Sequence, residues 1–319
     1  MLSRRQLRIK VLQALYAFFQ SKSDRMDFGE KQLFISIEKI YELCFWQLSF
    51  MIEIVDFTKV RTEEAKHKHF PTPENLNPNT KFIDNKLIEQ IRNNRIYEKK
   101  YDQYKISWAE QTEMIRRIYK EIIESKYYEK FMDEPERTYE GDKEFIILLL
   151  KKVIAKSESL KQFYEDLSIY WSDDYHSVTA LVIKIINSFT EESDTYHLLP
   201  VIYKTANEAE NEDVDFVKSL YRKTIINSDK LEKLITEKTV NWEYDRIAVM
   251  DIIILKMALT ELTEFKSVPV KVTLNEYIEL SKSYSTPKSN IFVNGILDKL
   301  INDLSESKDI RKTGRGLMN

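Results

Sequence analysis

The chain has 319 residues and a net charge of −3, and it holds only five glycines, seven prolines and one cysteine. So few glycines and prolines exclude a multi-stranded β protein, because these two residues supply most turns between strands. The single cysteine, Cys44, excludes internal disulfides and cysteine zinc sites, and its apolar neighbours predict a small core residue. Without excess positive charge, affinity for nucleic acid has to come from local clusters of basic residues.

The first helix is predicted over residues 2–20. At 100° per residue one face is apolar and should be buried, and it contains Leu7, Val11, Ala14, Leu15 and Phe18. Arg5, Leu12 and Tyr16 share an adjoining stripe, with Arg8 beside it. The apolar run is interrupted at Gln13, no cleavage motif follows, and no stretch approaches the roughly 20 apolar residues of a membrane span, so a cytoplasmic protein is expected.

The middle of the chain is predicted to be helical. A long helix over 30–66 ends before the loop at 71–79, which holds three prolines. A further helical stretch, rich in Lys, Glu and Tyr, is predicted over 82–132, and 133–142 forms the next break. The aromatic residues of the 82–132 stretch fit helix packing better than a stacking platform for bases; they are Tyr97, Tyr101, Tyr104, Trp108 and Tyr119.

An internal similarity appears when the sequence is shifted by 71 residues without gaps. The shift pairs residues 142–187 with 213–258, including Trp171 with Trp242 and Asp174 with Asp245. Such similarity favours two copies of one helical unit. Chance alignment of two amphipathic helix pairs remains the alternative.

The last third of the chain predicts a helical bundle. Apolar residues cover most of the circumference over 247–262, which is typical of a central buried helix. A second helix is predicted to begin near Val270, after Pro269, and a third near Lys288. Residues 308–319 are basic and are predicted to form a flexible tail.

No constellation typical of an enzyme, metal site or cofactor site is present. The chain has no phosphate-binding glycine loop, no dinucleotide fingerprint and no zinc-binding helix motif. His67 and His69 are spaced so that their rings would point apart on a helix. A non-catalytic protein without cofactor or metal is therefore expected.

A basic cluster at the start of the first helix points instead to RNA. It comprises Arg4, Arg5, Arg8 and Lys10, with no acidic residue before Asp24. Arginine and lysine bind phosphates, while aromatic rings stack on unpaired bases. The cluster lies about three helical turns from Tyr16.

Four segments together resemble the NusB family of bacterial transcription antitermination factors. They are 4–16 (RRQLRIKVLQALY), 244–262 (beginning YDRIA), 268–276 (VPVKVTLNE) and 292–299 (FVNGILDK). The resemblance covers 1–22 and 213–310. It implies an all-α fold, here with a helical insertion over 23–212, a bundle over 213–307 and the tail over 308–319.

The resemblance implies a function in binding boxA RNA together with NusE, a small-subunit ribosomal protein, and in engaging the RNA polymerase elongation complex. It implies that Tyr16 and Phe292 lie on the RNA surface and that Asp251 and Lys256 contribute polar groups from the central helix. Lys288 stands where many relatives carry an acidic residue. Some family members form homodimers through the same surface, which leaves the oligomeric state open.

Several residues of the resemblance have other readings. The alternative for Phe292 is a core residue beside Val293, and that for Asp251 is an exposed charge near the start of the central helix. Asn275–Glu276 and Asn294–Gly295 are expected to define the fold, with Gly295 placed where another backbone packs closely, since glycine costs roughly 1 kcal/mol in a helix. The alternative function is a helical interaction scaffold that has lost RNA binding. The basic cluster favours the RNA-binding protein.

Overall fold

The computed structural model describes residues 2–22, 24–203, 211–239 and 247–317. Within these ranges the chain is α-helical and contains no strand, which confirms the predicted fold class. The chain forms two compact units, one of Glu38–Ile202 and the other of Leu2–Ile37 with the chain from Tyr203 onward. No helix in the described ranges is both long enough and apolar enough to cross a membrane.

The second unit combines the first helix with the helices of the last third of the chain. Its helices are α1 (Arg4–Gln20), the start of α2 (Met26–Lys66), α11 (Glu212–Ile226), α12 (Ser228–Lys238), α13 (Val249–Glu264), α14 (Val270–Tyr284) and α15 (Ser289–Glu306). A capping box begins α1, because the Ser3 hydroxyl accepts from the Gln6 amide while the Gln6 side chain accepts from the Ser3 amide.

Helix α13 is the centre of this unit, as the apolar run predicted. Every residue from Ile253 to Leu262 is buried, and the helix packs against α1, α11, α12, α14 and α15. A helix that is apolar on most of its circumference is buried on all sides, and polar side chains buried with it are costly unless they are hydrogen-bonded. The polar residues within it, Lys256, Thr260 and Glu261, therefore require partners.

Gly29, near the start of α2, is required by a close approach of Tyr221. A Cβ at this position would overlap the buried Tyr221 hydroxyl and lie 3.2 Å from Cζ of the same ring. The glycine thus makes room for a ring that α11 presents to α2.

Gly29→Ala is expected to destabilise the protein. Alanine gains about 1 kcal/mol in helix propensity, but overpacking a core costs roughly 1–3 kcal/mol. Urea unfolding measures the difference. In a Tyr221→Phe background the overlap with the hydroxyl disappears, so the same substitution should cost less there; an equal cost in both backgrounds would contradict this packing.

The first unit holds the remaining helices. They are α3 (Pro73–Leu76), α4 (Lys86–Arg92), α5 (Arg95–Gln103), α6 (Thr112–Ile123), α7 (Lys126–Asp133), α8 (Tyr139–Lys152), α9 (Glu158–Leu167) and α10 (Tyr175–Ser188), together with the rest of α2. The stretch predicted over 82–132 is divided into four helices. Asn94 and Ser125 mark two of the divisions, since each side chain accepts from the backbone of the helix that follows.

Aromatic packing holds this unit together, as expected for its tyrosines and tryptophans. Trp108 is buried, its ring lies 5.1 Å from Trp46 and 5.3 Å from Phe163, and its Nε1 donates to the Ser49 hydroxyl at 3.0 Å. Cys44 is buried as predicted, and burial raises the pKa of its thiol to about 12.

The internal similarity coincides with three pairs of helices. After a shift of 71 residues, the starts of α8, α9 and α10 fall within three residues of the starts of α11, α12 and α13. Asp142 and Asp213 are both buried, as are Phe145 and Phe216. Trp242 and Asp245 lie outside the described residues, and duplication stays a prediction.

Candidate functional site

Arg8, in the first half of α1, forms a buried ion pair with Glu261 of α13. Arg8 is 3% exposed and Glu261 0%, and two hydrogen bonds of 2.8 and 2.7 Å join the guanidinium to both carboxylate oxygens. Thr273 and Tyr277 donate to the same carboxylate at 3.0 and 3.1 Å. Burial opposes the charged form of Arg8, but the hydrogen bonds and charge of Glu261, together with Tyr277 and Glu276, raise its pKa. Arg8 therefore joins α1 to α13 and α14.

Arg8 is buried, whereas binding a phosphate requires an exposed side chain. Lys10 is likewise only 2% exposed. Two of the four basic residues predicted to face RNA thus lie inside the bundle. The error has a physical reason: a guanidinium can be buried when a bidentate carboxylate satisfies it, and the sequence near α1 shows no such carboxylate.

Arg4 and Arg5 are more accessible but also paired. Arg4 Nε lies 2.8 Å from an Asp213 oxygen, and its guanidinium lies 4.4 Å above the Phe216 ring. Arg5 donates to both Glu276 oxygens, at 2.9 and 2.7 Å, while its side chain stays about half exposed. The hydrogen bond from Arg5 lowers the pKa of the Glu276 carboxyl. Glu276 therefore helps to define the fold, as expected.

These arginines border an open groove of about 1240 Å³. Its apolar part includes Phe216 and Phe265, whose ring centroids are 5.1 Å apart. Glu212 and Asp215 at the start of α11 also line the groove, and so does Arg315 from the C-terminal segment. The groove is thus lined by both basic and acidic residues.

A second group of predicted residues surrounds the starts of α13 and α15. Asp251 is 5% exposed and accepts a hydrogen bond of 2.7 Å from the Ser289 hydroxyl. Lys288 precedes Ser289 and is exposed, and Phe292 follows one turn later and is partly buried. Asp251 therefore positions the start of α15, which Lys288 directly precedes and which carries Phe292.

Lys256 and Tyr16 lie where α1 and α13 meet. Lys256 is 5% exposed, and its ammonium donates to Ser228 at 2.9 Å and to Glu232 at 2.6 Å. It also lies 5.2 Å from the centroid of the Phe19 ring on α1. Tyr16, one turn before Phe19, is 41% exposed. Tyr16 is accessible, whereas Lys256 is committed to the contacts among α1, α12 and α13.

The nine predicted residues thus form two groups. Asp251 and Glu261 mark the two groups along α13, and their separation of ten positions corresponds to about 15 Å. The sequence did not indicate Glu261 and Asp213, the carboxylates that pair with Arg8 and Arg4. For Glu261 a signal existed, since it is an acidic residue inside the apolar run 252–262.

The expectation for Gly295 is wrong. A Cβ built on Gly295 meets nothing within 4 Å, and the residue is exposed. No neighbouring backbone in the described part of the chain requires a glycine there. Its neighbour Asn294 donates to Asp298 at 3.1 Å within the same helix.

Comparison with known proteins identifies the family. The sequence model of the NusB family matches residues 176–302. The transcription antitermination protein NusB of Salinibacter ruber is 38% identical over 127 residues, which are 40% of this chain and 79% of that protein. This chain belongs to the NusB family.

Two further NusB proteins are similar to the chain. The protein of Chloroherpeton thalassium is 38% identical over 33% of this chain and 49% of its own length. That of Natranaerobius thermophilus is 30% identical over 34% of this chain and 78% of its own length. Both are named transcription antitermination proteins. No solved structure matches the chain.

The NusB match covers the second group of site residues and leaves the first helix outside. Residues 176–302 contain Asp251, Lys256, Lys288 and Phe292, and they begin inside the segment assigned from the sequence to the insertion. Arg4 and Tyr16 lie outside the matched range. Their link to the second group is the packing of α1 on α13.

Proposed function

We propose that this chain is a transcription antitermination factor that binds boxA RNA together with NusE and joins the RNA polymerase elongation complex. Its membership of the NusB family supports this proposal, because the similar proteins carry the name of transcription antitermination proteins. The observation that carries the RNA-binding part is an accessible strip along α15.

This strip, the α15 strip, consists of Lys288, Phe292, Gly295 and Lys299. At 100° per residue these four positions lie within about 60° of one another on the helix. Lys288, Gly295 and Lys299 are exposed, and Phe292 is partly buried. Two cations that flank an aromatic ring and a residue without a side chain suit single-stranded RNA, whose phosphates take the cations and whose bases stack on rings.

The site residues then take three roles. Phe292 and Tyr16 contact bases, because each offers an accessible part of an aromatic ring. Lys288, Arg4 and Arg5 contact phosphates. The buried residues hold the surface in place and do not touch RNA; they are Arg8, Lys10, Asp251 and Lys256.

The proposed mechanism is binding without catalysis. NusE would supply additional RNA contacts, so that the pair offers a larger surface than either protein alone. Phosphate contacts position the strand, and contacts to bases select the sequence.

Ultraviolet crosslinking of boxA RNA to the full chain, followed by mass spectrometry of the peptides, tests this assignment. Crosslinks are expected at Tyr16 and Phe292. Crosslinks confined to other aromatic residues, such as the half-exposed Phe28, would place the RNA elsewhere and contradict the proposed surface.

Gly295→Ala should separate stability from binding. Because a Cβ there meets no atom within 4 Å, alanine is expected to stabilise the helix by up to about 1 kcal/mol. The same methyl group would stand between Phe292 and Lys299 on the α15 strip and should weaken boxA binding. Urea unfolding and RNA titration measure the two effects. Unchanged affinity in the stabilised variant would argue against close approach of RNA at this position.

A further inference from the structure

The C-terminal segment, predicted to be a flexible tail, packs on the end of α13. The Lys312 ammonium donates to the backbone oxygens of Phe265 at 3.0 Å and Glu261 at 3.3 Å, and the Thr313 amide donates to the Lys266 oxygen at 3.0 Å. The last carbonyls of a helix lack partners within the helix, and a cation there is favoured by the helix dipole. Lys312 supplies hydrogen bonds to these carbonyls and a cation at the end of the helix.

Gly316 fits this segment to the loop between α13 and α14. The residue is buried, and a Cβ on it would overlap the backbone oxygen of Lys266 and lie 3.1 Å from the carbonyl carbon. Its backbone is not in the left-handed region, so space and not conformation requires the glycine. Because the obstructing atoms are backbone, a larger residue at 316 would displace the segment.

The docked segment brings exposed positive charge to the groove beside α1. Arg315 lines the same groove as Arg4 and Arg5, and Arg311 and Lys266 lie next to the docking contacts. Within the described part of the chain, these three exposed cations make no ion pair, whereas each arginine of α1 has a carboxylate partner. The tail and the loop thus supply exposed cations that, unlike the α1 arginines, have no carboxylate partner among the described residues.

We propose that the docked segment is a phosphate-binding extension of the RNA site. Arg315, Arg311 and Lys266 contact the backbone of RNA that flanks the bases held at Tyr16 and Phe292. The inference rests on the proposed function for the identity of the RNA. The charges favour a strand that follows the tail, because Glu212 and Asp215 line the groove itself and would repel phosphates there.

A phosphate-binding role of the docked segment predicts contacts that do not depend on the RNA sequence. Each lost phosphate contact should reduce the dependence of log K on log salt by about 0.7 for single-stranded RNA. The loss should be the same for boxA and for scrambled RNA, since phosphates carry no base identity.

The test measures binding of the full chain to boxA RNA with flanking nucleotides, and to a scrambled RNA of equal length, as salt is raised. Arg315→Ala should lose about 0.7 in slope on both RNAs. Gly316→Ala removes no charge, yet it should lose at least as much slope because it displaces the segment. Lys31→Ala, which removes an exposed cation from α2, is the matched control and should retain the slope of the unchanged chain.

The outcomes separate the two proposals. If Arg315→Ala and Gly316→Ala both behave like Lys31→Ala, the segment does not bind phosphate and the inference is overturned. If the unchanged chain fails to prefer boxA, but both variants lose slope on scrambled RNA, the proposed function fails and the segment's role stands. Absence of binding to either RNA overturns both. Circular dichroism of Gly316→Ala checks that the bundle remains folded.

Discussion

Arg8→Met is expected to destabilise the protein by roughly 3–5 kcal/mol, because it leaves the fully buried Glu261 carboxylate without its charged partner. Thr273 and Tyr277 would still donate to that carboxylate, but neutral hydroxyls do not replace a bidentate guanidinium. Urea unfolding monitored by circular dichroism measures the loss.

Two comparisons show whether the buried charge is the cause. The double variant Arg8→Met with Glu261→Gln carries no charge at either position of the pair and should be more stable than Arg8→Met alone. Arg95→Ala breaks an exposed ion pair with Glu98 and should change stability by less than about 1 kcal/mol. A loss for Arg8→Met no larger than that for Arg95→Ala would contradict the structural role of Arg8.

The structural role of Arg8 affects how RNA binding is tested. A variant that replaces Arg4, Arg5 and Arg8 together would lose affinity through unfolding as well as through lost phosphate contacts. Arg5→Ala is the cleaner substitution, since its side chain is about half exposed. Reduced affinity in a variant that unfolds carries no information about the RNA surface.

Tyr16→Ala and Phe292→Ala are expected to weaken boxA binding the most among surface substitutions. Stacking of a base on an aromatic ring is worth about 1–3 kcal/mol, which corresponds to roughly 5- to 150-fold in affinity for each residue. Fluorescence anisotropy with labelled boxA RNA measures the change.

Phe28→Ala is the matched control for these two variants. Phe28 is a half-exposed aromatic residue of the same unit and is not one of the predicted RNA contacts. The affinity of Phe28→Ala for boxA should be within about twofold of that of the unchanged chain, because surface substitutions away from a site have small effects. If all three variants bind alike, the aromatic contacts proposed for Tyr16 and Phe292 do not exist.

The helices of the NusB-like unit were largely predictable from the sequence. The first helix was expected over 2–20 and begins at Arg4, and the central helix was expected from its continuous apolar run. Both have strong local signals, a capping box in one and burial on all sides in the other. The division of 82–132 was missed, because cap residues such as Asn94 and Ser125 resemble ordinary surface residues in the sequence.

The candidate site was only partly predictable, because burial depends on partners that are distant in the sequence. Arg8 and Glu261 are separated by 253 positions, and Arg5 and Glu276 by 271. A cluster of arginines has the same appearance whether it faces solvent or a carboxylate. Exposure of Lys288 and partial exposure of Phe292 follow from the packing of α15 on α13 and α14, which the helical period alone does not specify.

The most direct measurement is the affinity of the full chain for boxA RNA with and without NusE, compared with scrambled RNA at the same salt. The account predicts that the chain prefers boxA and that NusE tightens binding to boxA more than to the scrambled strand. Equal affinity for the two RNAs, even with NusE present, would contradict it and favour a helical scaffold that does not read RNA.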